Sequence, residues 1–132
     1  MEAKFLDTQE IDQVRLWWEE QGPEFPHIFM NQKDWIGISD KRHGLLSATY
    51  IYKAEDVEFG WMGWTVINPR ARINGYKSLP LLLKNALSIS REKGCKYIRM
   101  DSNSPMLNKV IEESGFLIGA EGITSYYINT NG

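Results

Sequence analysis

Apolar and polar positions along this chain recur with two periods, and each change of period marks an element. Residues 3–6 read as a short strand. Asp7 or Thr8 caps a helix whose apolar side is Ile11, Val14, Leu16, Trp17 and Trp18, with Asp7 and Glu10 spaced as a capping box. Gly22-Pro23 ends that helix, and the prolines and aromatics over 23–34 predict a loop. Three strand-like stretches follow at 35–39, 45–54 and 57–68, separated by a turn at 40–44 and a break at Glu55-Asp56. They predict an antiparallel meander. Strict alternation in the third would place Glu58, Gly60, Met62, Trp64 and Val66 on one face.

The period then switches. Apolar residues at 79, 82, 83, 86, 87 and 89 predict a helix from about Ser78 to Lys93, closed by Gly94. Pro80 fits such a helix in its first turn, where its missing N–H would have no partner anyway. A strand over 95–101 comes next, then a helix capped by Ser104 or Asn103 that stops at Gly115, then a hairpin turning about Gly122. A meander joined to one crossover implies an α/β (α+β) fold with a mixed, mostly antiparallel sheet of about six to seven strands. The 132 residues, without repeats or a linker-like tract, imply one domain over 1–132.

Composition narrows the function only at its edges. The net charge of −2 offers no global attraction to nucleic acid or an anionic membrane. No apolar run approaches the roughly 18 residues of a membrane span. The start lacks a leader-like layout, and the one cysteine, Cys95, cannot form an internal disulfide, so a reducing, cytoplasmic setting is expected. His27 and His43 have no partner at metal-ligand spacing.

The most informative stretch is INPRARINGYKS, residues 67–78, between a predicted strand and a predicted helix. A helix start leaves N–H groups unpaired, and these groups together with the helix dipole attract anions. A glycine there permits close backbone approach. Arg70, Arg72 and Lys77 add full positive charges. A phosphate or diphosphate is the natural ligand of such a bridge.

This stretch resembles the acyl-CoA-binding segment of the GCN5-related N-acetyltransferase superfamily. Ile67-Asn68-Pro69 is similar to the family's Val-x-Pro, and Arg72-Ile73-Asn74-Gly75-Tyr76-Lys77 to its Arg/Gln-x-x-Gly-x-Gly/Ala. The following helix, Gly94, the strand YIRMDS and the ending Ser114-Gly115-Phe116 fall at the family's usual intervals. The resemblance extends from about Trp35 to Asn129. It implies helices on both faces of the sheet and acetyl-CoA as co-substrate. The cofactor-binding residues it implies are Val66, Ile67, Arg70, Arg72, Ile73, Asn74, Gly75, Tyr76, Lys77, Ser78 and Asn103. Three departures stand out. Lys77 replaces a small residue, Pro80 is unusual so early in the helix, and Ile111 stands where the family often has a tyrosine that protonates the departing thiolate. The stretch 16–26 looks like small phage-type members, some of whose relatives modify DNA bases; in that case the setting is a host cytoplasm.

In this family the strands before and after the crossover helix splay, and the thioester lies in the opening. Backbone N–H groups near Val66 and Ile67 would then face the acyl carbonyl. Glu58, on the strand entering the junction, is the candidate base, with Ser102 and Asp101 at the end of the next strand as further candidates. Trp17, Trp18, Trp61 and Trp64 divide between core and the wall of an acceptor cleft. The implied activity is acyl transfer, with acetyl the expected group, from acyl-CoA to an amine of a small molecule or protein. Two alternatives stay open. One is modification of a DNA base, which would need Arg15, Lys33, Lys41, Arg42 and Lys53 to cluster beside the opening. The other is a non-catalytic binding domain. A homodimer through a sheet edge or the last hairpin would suit the fold.

Overall fold

The computed structural model describes residues 1–21, 34–102, 104–119 and 121. Its elements are β1 (Glu2–Phe5), α1 (Thr8–Glu20), β2 (Trp35–Asp40), β3 (Gly44–Lys53), β4 (Phe59–Ile67), α2 (Arg72–Glu92), β5 (Tyr97–Met100) and α3 (Pro105–Glu113). The expected capping box is present. The Asp7 carboxylate accepts from the Glu10 amide at 2.8 Å, and the Asp7 amide donates to the Glu10 side chain at 3.1 Å. Ser104 caps α3 by accepting from the Leu107 amide.

The described strands form one sheet in the order β1-β2-β3-β4-β5. The first four run antiparallel, and β5 lies parallel to β4 after the α2 crossover. Two apolar layers hold it. On one face Ile11, Val14 and Trp17 of α1 pack on Trp35, Leu45, Ala48, Tyr50 and Val66. On the other, Leu79, Leu82, Leu83 and Ala86 of α2 pack on Ile36, Ile38, Leu46, Ile51 and Met62, with Leu107, Val110 and Ile111 of α3 against the same cluster. Ile111 is therefore held among apolar neighbours. The helix-on-both-faces arrangement agrees with what the family resemblance implies.

Three local expectations are corrected. The crossover helix begins at Arg72, not near Ser78, so residues 72–77 are its opening turns. Pro80 consequently sits well inside α2, where the Tyr76 carbonyl loses its ordinary helical donor. Apolar periodicity located the buried stripe but missed the polar turns that precede it. The face assignment in β4 also fails beyond Met62. Trp64 has φ 54°, and the register steps from Tyr50↔Gly63 to Ala48↔Val66, so Trp64 and Thr65 together oppose Thr49. This bulge reverses the alternation: Met62 lies under α2, whereas Trp64 and Val66 face α1. Finally, residues 116–119 carry no strand, and the rest of the expected hairpin lies outside the described residues, as do His27, Lys33 and Asn103.

Candidate active site

The bridge from β4 to α2 is built on Asn68. Its side-chain amide donates to the Leu45 carbonyl at 3.0 Å, and its side-chain oxygen accepts from the Arg70 amide at 2.9 Å. Its backbone N–H donates to Leu46 and its carbonyl accepts from Ala71. A buried residue with both ends engaged fixes where the helix starts. The N-cap is Ala71, which has no side chain able to cap. The first intrahelical bond runs from the Gly75 amide to the Ala71 carbonyl, so the amides of Arg72, Ile73 and Asn74 precede the ladder. No acidic residue stands in the first turn. The helix start thus keeps its positive end uncompensated.

Around this end the structure brings together Arg70, Arg72, Ile73 and Asn74. Arg72 and Lys77 are exposed. Arg70 is exposed too, and its guanidinium reaches Glu20 at the end of α1 at 2.9 Å. Ile73 is 73% exposed, unusual for an isoleucine on a helix. Gly75 and Ser78 turn the other way. A Cβ on Gly75 would lie 2.9 Å from the Ile67 Cβ and 3.2 Å from the Leu46 carbonyl oxygen, so this glycine seats the helix on the sheet. Ser78 is buried, donates to the Gly75 carbonyl and shares a 2.6 Å hydrogen bond with Ser47. Tyr76 is half-buried against the α2 layer. Beside the close approach to an anion expected from sequence, Gly75 thus has a packing reason.

Next to the helix start, β4 and β5 part. Their register ends at Met62↔Met100, yet β4 continues through Ile67. Beyond that rung the outer edge of β4 has no strand partner among the described residues. The bulge stands at the same place. The Trp64 carbonyl accepts from the Trp18 indole N–H at 3.3 Å, and the two rings meet edge to face with centroids 5.2 Å apart. On the α2 side, Thr49 and Thr65 hydroxyls lie 2.8 Å apart, and Thr49 also donates to the Gly63 carbonyl. Side chains thus engage two backbone carbonyls at the bulge. Val66 is buried under α1, and Ile67 lies against Gly75.

The candidate bases separate. Glu58 precedes β4, at the end where the two strands are zipped, and its carboxylate is paired with Lys96 at 3.1 Å, both well exposed. Four residues of strand, about 13 Å, separate it from the last β4–β5 rung. Asp101 and Ser102 follow β5 directly at the mouth of the opening. Asp101 accepts from Arg99 Nε at 3.0 Å, and Ser102 Oγ accepts from the Ser104 amide at 3.1 Å. Of the cations proposed to cluster for DNA, Lys41 and Arg42 precede β3 and Lys53 ends it, roughly 30 Å apart along the strand, while Arg15 is engaged with Asp12 and Glu19 on α1. Among the described residues, Lys53 and the pair Lys41 and Arg42 form no single patch. Among the described residues no helix is long and apolar enough to cross a membrane.

Sequence reasoning missed Asn68 as the clamp, Trp18 as the indole donor and the positive φ of Trp64. A signal existed for the first: an Asn-Pro step after a long strand. None existed for the bulge beyond the glycines at 60 and 63.

No protein-family model matches the sequence, and neither does any curated protein. Solved structures do match. N-acetylglutamate synthase of Neisseria gonorrhoeae, complexed with coenzyme A and N-acetyl-glutamate, superposes with TM-score 0.70 at 15% identity over 90% of this chain, which spans 28% of that chain's length. An acetyltransferase of Trypanosoma brucei gives 0.65 at 17% identity, covering 96% of this chain and 99% of that one. An aminoglycoside acetyltransferase from an uncultured soil metagenomic sample, in complex with trehalose, gives 0.68 at 11% identity, with coverages of 98% and 96%. The chain therefore has the fold of the GCN5-related N-acetyltransferases.

Proposed function

We propose that the chain, as one unit over 1–132, is an acyl-CoA-dependent N-acyltransferase that moves an acetyl group from a coenzyme A thioester to a primary amine. The observation that carries this reading is the adjacency of two features. An uncapped, cation-flanked helix start lies beside a gap between two parallel strands. The likeness to acetyltransferase structures, one of them holding coenzyme A, supports the same ligand.

The amides of Arg72, Ile73 and Asn74 would receive the diphosphate, with Arg70, Arg72 and Lys77 supplying charge. The exposed Ile73 offers apolar contact to the cofactor chain. The thioester supplies an activated acyl carbon in the opening. There, N–H groups of β4 near Val66 and Ile67 that point away from β3 would hold the negative charge developing on the carbonyl oxygen. The neutral amine attacks the carbonyl carbon, the C–S bond breaks, the amine's proton passes to a base and the thiolate takes up a proton. Asp101, which follows β5 at the mouth of the opening, would accept the amine's proton, directly or through water. Ser102 stands beside it, and Ile111 supplies no proton for the thiolate, which leaves that step to Ser102 or solvent. Glu58 would need a long relay to act.

Calorimetry with acetyl-CoA, paired with thiol-release assays on a panel of amines, tests the reading. Wild-type protein should bind, and Arg72→Ala with Lys77→Ala should weaken binding about tenfold or more. Heat without thiol release for any amine would make the chain a coenzyme A-binding domain without catalysis. No heat at all would remove the coenzyme from its function.

A further inference from the structure

The face of the sheet that carries α1 is only partly covered by it. Met62 points under α2, so its neighbours Phe59 and Trp61 point to the α1 side, and Tyr52, two residues beyond Tyr50 of the α1 layer, joins them. The register Phe59↔Tyr97 and Trp61↔Arg99 brings Tyr97 and Arg99 to the same side. The rings touch. Phe59 meets Trp61 edge to face at 4.7 Å, and Tyr52 lies 6.2 Å from Trp61. Three of them are open to solvent, with Trp61 39%, Tyr52 42% and Tyr97 70% exposed, and Phe59 is half-buried. Three exposed aromatics, with the half-buried Phe59 among them, on one face form a recognition surface rather than scattered apolar residues.

Position decides what that surface serves. Trp61 and Arg99 form the last rung but one before β4 and β5 part, and the opening begins at Asp101. On the opposite face Met100, Leu107, Ile111 and Phe116 join the α2 layer, so among the described residues the α1 side is the less covered approach to the gap. From Tyr52 to Asp101 an approaching molecule meets an aromatic floor, then a carboxylate 71% exposed on its side chain. Such an order suits an apolar ring followed by an ammonium group. The charge on this face argues against a polycation, because Arg99 shares the mouth with Asp101. From these observations we propose, resting on the acyltransferase reading above, that the acceptor is a monoamine carried on a flat aromatic body. Its ring lies on Trp61, the aromatic of this surface nearest the gap, with Tyr52 beside it, and Asp101 receives its ammonium beside the thioester.

The test measures thiol release at saturating acetyl-CoA with phenethylamine, hexylamine, spermidine and a lysine-containing peptide. Phenethylamine should give the highest kcat/KM, about tenfold or more above hexylamine and spermidine. Trp61→Ala should raise KM for phenethylamine about tenfold more than it raises KM for hexylamine, and Trp61→Phe should restore most of the difference. Tyr52→Ala, at an exposed position, gives the same readout should Trp61→Ala fold poorly. Asp101→Asn should raise KM for both monoamines. Preference for spermidine or the peptide, or equal effects of Trp61→Ala and Tyr52→Ala on both monoamines, would overturn the assignment while leaving the acyltransferase reading intact. Absence of acetyl-CoA binding by calorimetry would overturn both.

Discussion

Gly75 offers the sharpest test of how this junction works, because its two explanations give opposite signs. If the glycine serves close approach of an anion, then Gly75→Ala removes a helix-weakening residue and stabilises the fold by about 1 kcal/mol. The geometry says otherwise. The added methyl would stand 2.9 Å from the Ile67 Cβ, 3.2 Å from the Leu46 carbonyl oxygen and 3.4 Å from Ile67 Cγ2. None of these partners retreats easily. Ile67 is paired with Ser47 in the sheet, and the Leu46 carbonyl accepts the Asn68 amide at 2.8 Å. Moving α2 instead would strain the 2.6 Å bond between Ser78 and Ser47. Overpacking at such sites costs about 1–3 kcal/mol, against the roughly 1 kcal/mol gained in helix propensity, so a net loss of about 1 kcal/mol is expected. With an m-value of about 2 kcal/mol/M, the urea midpoint followed by tryptophan fluorescence should fall by about 0.5 M. Gly75→Val, with two further methyl groups, should fall further. A Gly75→Ala protein more stable than wild type would refute the packing argument and return this glycine to the anion site.

The remaining expectations are independent of that one. Pro80→Ala should stabilise the protein by about 2 kcal/mol, since the Tyr76 carbonyl regains a donor at an exposed position, and a thermal melt that does not rise would show that Pro80 costs nothing where it stands. Asn68→Ala removes two side-chain hydrogen bonds at a buried turn and should cost about 2–4 kcal/mol by urea titration, with acetyl-CoA affinity falling in the same protein. Asp40 accepts from the backbone amide and then the ring of His43, and the first of these chiefly holds its carboxyl below the ordinary value of 3.8. A depressed carboxyl contributes stability above its unfolded value that is lost as pH falls through the folded one. Asp40→Asn should therefore flatten the acid limb of the stability profile below about pH 4 and leave the neutral region unchanged in slope, as pH-dependent melts can show.

What the sequence revealed and what it hid divide along one line, local against non-local causes. The capping box at Asp7 and Glu10, the Ser104 cap and the stop at Gly94 depend on neighbours a few residues away, and each was legible. The start of α2 was not, because residues 72–77 carry no apolar stripe and are ordered by Asn68 bonding to β3, some twenty residues earlier. Likewise, Ser78 looked like a polar residue at an anion site until its partner Ser47 appeared beneath it. The bulge in β4 is the extreme case. Trp64 adopts a left-handed backbone conformation that its own side chain disfavours, so its cause lies elsewhere. Trp18 supplies an indole donor to its carbonyl from one side, and Thr49 engages Thr65 and Gly63 on the other. Strain held by contacts from two separate elements is what a structure keeps where the backbone itself has a task. Here the strain sits at the point where β4 leaves β5. The opening proposed to receive the thioester is thus specified less by the residues that line it than by the helix and strand that force β4 out of its regular register.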